Sequence, residues 1–266
     1  MRSPKPAASV AGGIALPARA KLNLDLEVVS KRPDGLHELR SRVQAVDLHD
    51  LLIAEPAEQA SLATTGFELP AAVTNTVLSA HSVVEAAAGR ALPTAYRLHK
   101  RIPPGSGLGG ASSDAAAAMR CLVILYRLDI DLAPIARGVG ADVTFFLHGG
   151  AALVEGVGEK VTPHVPEKSW YAIAWPGIEL STAAVYAAWD EIDAGKKGGP
   201  NQLRGAAGRV DSRVDRFAEH LGEGWLMTGS GSAFFLPCPD RRSAEAVAEK
   251  LDCWTAVTRP VRAWGA

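Results

Sequence analysis

Residues 103–118 read Pro103-Pro104-Gly105-Ser106-Gly107-Leu108-Gly109-Gly110-Ala111-Ser112-Ser113-Asp114-Ala115-Ala116-Ala117-Ala118. Four glycines precede a Ser-Ser-Asp and an alanine run. Glycine lacks a Cβ, so the backbone can turn through φ > 0 and bring its N–H groups close to a ligand. Alanine is the strongest helix former, and Ser112, Ser113 or Asp114 are side chains suited to cap the new helix. A glycine loop that empties into a helix N-terminus gathers N–H donors at the positive end of the helix dipole. This is a cradle for phosphate.

Three other readings compete. A flexible loop before an ordinary helix is the plainest. Gly105-x-Gly107-x-x-Gly110 satisfies the dinucleotide fingerprint, with Asp129 near the distance of a ribose-binding acid. The preceding Tyr96–Ile102 segment alternates in polarity, however, whereas a central parallel strand is continuously apolar. No second strand separates the loop from Asp129, and no Gly-Lys-Ser/Thr follows it, which excludes the Walker pattern as well. The loop is expected to bind phosphate in another way.

The chain has 266 residues, 47% hydrophobic and 21% charged, ordinary values for one large or two modest globular domains. A formal net charge of −1 offers no general attraction for nucleic acid or anionic membrane. No apolar run reaches the length of a membrane span. Cys121, Cys238 and Cys253 are odd in number and lack a paired metal spacing, as expected of reduced thiols in a cytoplasmic protein. The opening MRSPKPAASVAGGIAL places small apolar residues after basic ones, as a secretion leader does. Cleavage there would cut beside Lys21, so a weakly ordered tail is expected instead.

Along the chain, Leu22, Leu24, Leu26 and Val28 alternate with polar residues and predict a strand. Residues 31–35 predict a turn, and 41–48 and 51–55 two more strands. Residues 75–88 predict a helix capped by Asn75, followed by the 96–102 strand and a helix over 113–126. A helix over 132–139 stops at Gly140. Strands through Val154 and Val161 lead to a Pro-containing polar stretch at 163–168, the expected domain boundary. Beyond it are predicted a strand (171–175), a helix (182–192), a loop (195–200), a helix (213–221), strands flanking 228–232, a helix (243–251) and a last strand. Strands and helices mix without regular alternation, which makes the fold class α+β.

Several side chains stand out around this frame. Lys21 and Asn23 share one face of their strand, opposite Leu22 and Leu24. Alone, such residues are usually solvated. Asp142, in Gly140-Ala141-Asp142-Val143, reads as a helix cap or as a free carboxylate. His37 follows a turn. Thr228-Gly229-Ser230-Gly231-Ser232 reads as a hairpin turn or a second set of N–H donors. Together, a phosphate loop, a lysine, an acid and a second glycine turn supply what phosphoryl transfer to a hydroxyl needs, which is positioning and charge stabilisation.

At this point the sequence resembles a known family. Residues 17–24 (PARAKLNL), 103–113 and 228–232 resemble the three motifs of the GHMP small-molecule kinases. Residues 32–39 (RPDGLHEL), 140–143 and 155–159 (EGVGE) resemble the 4-diphosphocytidyl-2-C-methyl-D-erythritol kinases among them.

The resemblance implies a nucleotide domain at 1–162, a C-terminal domain at 163–266 and an active site between them. It implies ATP with Mg²⁺ as phosphoryl donor, and phosphorylation of the 2-hydroxyl of the methylerythritol unit, a step toward isoprenoid precursors. By the same resemblance Asp142 is the catalytic base and Lys21 its partner. Asn75, Pro103, Pro104, Gly105, Ser106, Gly107, Leu108, Gly109, Gly110, Ala111, Ser112 and Ser113 hold ATP. Asn23, Leu36, His37, Thr182, Tyr186, Gly229 and Ser230 contact the substrate, His37 recognising cytosine and Tyr186 stacking on it. Leu36 stands where the family carries Tyr. No resident metal site is implied, and a monomer or weak homodimer is expected. Another GHMP kinase, of mevalonate or homoserine type, and a nucleotide-binding protein without catalysis are the rival readings.

Overall fold

The computed structural model describes residues 12–68, 75–192 and 198–264. Residues 1–11 of the N-terminal tail expected from the sequence and 195–197 of the predicted 195–200 loop lie outside these residues, and the end of that expected tail, from Ile14, is already strand. The organising element is β3 (His37–Pro56), a 20-residue strand that pairs along both edges. One edge carries β1 (Ile14–Asn23) and β2 (Glu27–Lys31). The other carries β5 (Thr94–Lys100) and β6 (Ala151–Gly156). With β4 (Ser61–Gly66) parallel to β5, and β7 (Lys160–His164) on β6, they form a seven-stranded sheet.

Helices α1 (Thr76–Ala88) and α2 (Gly110–Tyr126) contribute Val77, Val84, Met119 and Leu122 to a core shared with β3 and β5. Two short helices follow, α3 (Ala133–Ala136) and α4 (Val143–His148).

A four-stranded sheet in the order β11-β8-β10-β9 forms the second lobe. Its strands are β8 (Trp170–Trp175), β9 (Leu226–Met227), β10 (Phe234–Cys238) and β11 (Trp254–Thr258). Helices α5 (Thr182–Asp190), α6 (Arg204–Val210), α7 (Arg213–Leu221) and α8 (Arg241–Ala248) complete the lobe. A third buried cluster is the seam between the lobes, where Leu22, Ile102 and Leu108 meet Ile173, Trp175 and Phe235. After β11 the chain returns to the first lobe through bridges Val46–Pro260 and Gly149–Ala263.

The fold is α+β in two lobes, and its departures from the predicted elements have local causes. The 22–28 strand is two: Leu24 N–H bonds to Arg42 O and Leu26 N–H to Pro200 O, so the chain leaves the ladder between β1 and β2. The 41–48 and 51–55 strands are one. Asp50 does not break β3 because its carboxylate accepts the N–H groups of Arg101 and Ile102 and pairs with Lys100. Helix α2 starts earlier than expected, with Gly109 at its N-cap in the left-handed conformation and no side-chain cap. Ser113 and Asp114 therefore lie inside it. Asn75 caps α1 as expected, its Oδ1 accepting from Val77 N–H at 2.9 Å. Helix α6 was not predicted, and β7 runs past residue 162 to His164.

Candidate active site

The two glycine stretches touch. Gly107 has φ +80°, and a Cβ there would lie 2.3 Å from the carbonyl oxygen of Thr228. Gly229 in turn has φ +55°, and its Cβ would lie 2.8 Å from Gly107 O and 3.0 Å from Lys21 Nζ. Only glycine allows both this backbone conformation and this approach. The first loop and the 228–232 turn thus close on each other across the seam, with Lys21 between them.

The loop's carbonyls are pinned back: Leu180 N–H bonds to Gly105 O, Ala233 N–H to Ser106 O and Lys21 N–H to Leu108 O. Its N–H groups are not. From Gly105 to Ser112 none has a hydrogen-bond partner among the described residues. Backbone donors left unpaired at a helix N-terminus form an anion site. The flexible-loop alternative gives no reason for carbonyls held and amides presented.

Lys21 and Asn23 are 4% and 5% exposed. They are buried, contrary to the solvated habit of such residues, because the 228–232 turn covers β1. Asn23 N–H bonds to Thr228 Oγ1 at 2.9 Å, and its Nδ2 donates to Ser41 Oγ at 2.7 Å. Lys21 Nζ donates to Asn23 Oδ1 and lies 3.6 Å from Asp142 Oδ2. Asp142 occupies the N-cap position of α4, yet its side chain makes no capping bond and remains 40% exposed. Its carboxylate is given to Lys21 and the cleft rather than to the helix.

A cleft of about 540 Å³ joins these groups. Lys21, Asn23, Asn75, Pro103 to Gly107, Gly109 to Ser112, Asp142, Thr182, Tyr186, Gly229 and Ser230 line it, so most of the residues singled out in the sequence come together. Thr182 Oγ1 and Ser230 Oγ meet at 3.0 Å. Leu108 is wholly buried in the seam and Ser113 is buried within α2. Leu36 and His37 are not among the lining residues: Leu36 is half exposed, and His37 stacks on Tyr186 with ring centroids 4.8 Å apart. Tyr186 holds its proton to higher pH than a free tyrosine, because of burial and then of Asp142.

The sequence reading missed other contributors. Asn201 Nδ2 donates to Met227 O and Gly229 O and so fixes the second turn from behind. Lys100 is buried between Asp50 and Asp114, 2.7 Å from the latter. Its Nζ would lie 3.1 Å from a Cβ on Gly110, directly behind the loop. Burial, then Asp50, pushes the Asp114 carboxyl up to about 8, while burial works against the Lys100 charge but is outweighed by Asp114 and Asp50. The apolar lining Leu26, Leu39, Val43, Val154 and Leu203 comes from both lobes. Nothing in the local sequence marks these residues, since each acquires its place from a partner far along the chain.

No cluster of three or more His, Cys, Asp or Glu fit to hold a metal occurs among the described residues. A Mg²⁺ carried by a nucleotide needs none, since it takes phosphate oxygens and water with one or two carboxylates. The hydroxyl of Ser112 and the carboxylate of Asp142, both lining the cleft, are donors that fit it. No described helix is long and apolar enough to cross a membrane.

Comparison with known proteins agrees with this geometry. A family model described as "GHMP kinases N terminal domain" matches residues 75–150. The 4-diphosphocytidyl-2-C-methyl-D-erythritol kinase of Carboxydothermus hydrogenoformans is 34% identical over 263 aligned positions, covering 88% of this chain and 91% of that protein. A crystal structure of a 4-(cytidine 5'-diphospho)-2C-methyl-D-erythritol kinase superimposes with TM-score 0.76 at 34% identity, over 93% of this chain and all of the other. A mevalonate kinase structure at 11% identity and TM-score 0.66, covering 94% and 99% of the two chains, shares the fold alone.

Proposed function

The chain belongs to the 4-diphosphocytidyl-2-C-methyl-D-erythritol kinase family within the GHMP kinases, and we propose that its cleft phosphorylates the 2-hydroxyl of that cytidyl alcohol. The observation that carries the mechanism is the Lys21–Asp142 pair at 3.6 Å beside a loop whose N–H groups are unpaired. The triphosphate of ATP lies along residues 105–112, where the amides and the α2 dipole offset its charge.

Asp142 accepts the hydroxyl proton as the oxygen attacks the γ-phosphorus. The new O–P bond forms as the bond from that phosphorus to the β–γ bridging oxygen breaks, and ADP leaves with the electron pair. Lys21, fixed by Asn23, orients the carboxylate and lowers the pKa of the attacking hydroxyl. Ser112, with the phosphate oxygens, would hold the Mg²⁺ that accompanies the nucleotide, which would supply further neutralisation of phosphate charge. Tyr186 and the apolar end of the cleft receive the base, and His37 recognises it. The three cysteines, all free, suit a protein of the cytoplasm.

Asp142→Asn keeps the size of the side chain and removes the base. Turnover is expected to fall by about 10²–10⁴-fold with the dissociation constant for ATP unchanged. A variant that keeps wild-type turnover, or loses ATP affinity in proportion to turnover, contradicts the role given to Asp142.

A further inference from the structure

Helix α5 grips His37 with one face. Tyr186, Trp189 and Asp190, spaced i, i+3 and i+4, fall on the same side of a helix. Tyr186 stacks on the imidazole at an interplanar angle of 23°, and Trp189 meets it edge-on at 5.5 Å and 84°. Asp190 Oδ1 lies 2.7 Å from His37 Nε2. The other carboxylate oxygen accepts from Lys31 Nζ at 2.6 Å. Lys31 and His37 are themselves register partners across the β2–β3 hairpin. Two residues of the first lobe and one carboxylate of the second thus form a closed unit next to the cleft.

Asp190 is the last residue of α5, where the helix dipole disfavours an acid. Its two cationic or N–H partners offset that cost and hold its carboxyl below the usual range, the Lys31 hydrogen bond first and the His37 bond after it. An ionised carboxylate only accepts hydrogen bonds, so the proton of the neutral imidazole must sit on Nε2. Nδ1 has no partner among the described residues. The ring therefore has an acceptor, and no donor, left for a ligand.

From this geometry we infer that Asp190 is a positioning residue for base recognition. It fixes His37 against Tyr186 in the Nε2–H tautomer, so that the ring accepts a hydrogen bond from an exocyclic amine and repels a carbonyl. The inference rests on His37 as the residue that reads the base. It selects an amino-pyrimidine over an oxo-pyrimidine, cytidine over uridine, through a residue that does not touch the base.

The test compares the cytidyl alcohol with its uridyl analogue in the wild type, Asp190→Asn and Asp190→Glu. The asparagine amide is able to donate to Nε2 and so release the opposite tautomer. Asp190→Asn is expected to raise KM for the cytidyl compound about tenfold and to shrink the cytidyl-to-uridyl preference by at least that factor, with kcat and KM for ATP within about twofold. Asp190→Glu, which keeps an acceptor-only group, is expected to retain the preference. An unchanged preference in Asp190→Asn, with or without lower thermal stability, overturns the inference and leaves a helix-end ion pair. Failure of the wild type to phosphorylate the cytidyl alcohol overturns the substrate reading, and the inference with it.

Discussion

The substitution Gly107→Ala puts a Cβ 2.3 Å from Thr228 O, 3.0 Å from Gly231 N and 3.1 Å from Gly231 O. All three are backbone atoms of the other lobe, so no side-chain rotation relieves the contact. Alanine at φ +80° costs about 1–2 kcal/mol by itself. Crowding two backbone segments adds about 1–3 kcal/mol, for a total near 2–5 kcal/mol. Gly89→Ala is the matched control, with φ +62° and no heavy atom within 4 Å of the new Cβ. It should cost only the conformational part, about 1–2 kcal/mol. Urea unfolding of both variants gives the difference, which measures the contact between the two loops. The strain also moves the unpaired N–H groups off their common centre, so KM for ATP should rise by about tenfold or more in Gly107→Ala and stay unchanged in Gly89→Ala. Equal destabilisation of the two variants, or a destabilised Gly107→Ala with wild-type KM for ATP, refutes the reasoning.

Two further outcomes follow from the buried groups. Asn201→Ala removes two bonds to Met227 O and Gly229 O and a third from Leu203 N–H, and leaves those groups buried; a loss of about 2–4 kcal/mol in urea unfolding is expected. The raised pKa of Asp114 means that the folded state binds a proton the unfolded chain has lost, so this group's contribution to stability declines as pH rises toward about 8. Asp114→Asn abolishes that titration, and the variant should gain stability relative to wild type as the pH rises from about 4 to about 8. A constant difference across that range contradicts the assignment.

What the sequence made legible was local. The alanine run after Gly110 is a helix on its own propensity, and Asn75 before Thr76 is a cap on its own geometry. The loop's conformation was readable because glycines in that spacing reach the positive φ found at Gly105, Gly107 and Gly109, which other residues rarely adopt. The burial of Lys21 was not readable: it depends on Thr228, which lies 205 residues from Asn23 and covers β1 only after the second lobe has folded. The same holds for Lys100, whose alternating strand looks solvated until Asp50 and Asp114 converge on it. Asp142 was readable as a cap by position, but the missing capping bond and the nearness of Lys21 emerge only in three dimensions. His37 was expected at the base, and the structure stacks it on the cleft-lining Tyr186 in the grip of α5, with Asp190 as an unforeseen partner.

The central claim is that these residues form a kinase for a cytidyl alcohol, and ADP release with Mg·ATP tests it most directly. The assay compares 4-diphosphocytidyl-2-C-methyl-D-erythritol with free methylerythritol, mevalonate and homoserine. Turnover confined to the cytidyl compound is the expected result. Turnover with one of the other alcohols in its place, or ATP binding with no turnover on any, contradicts it.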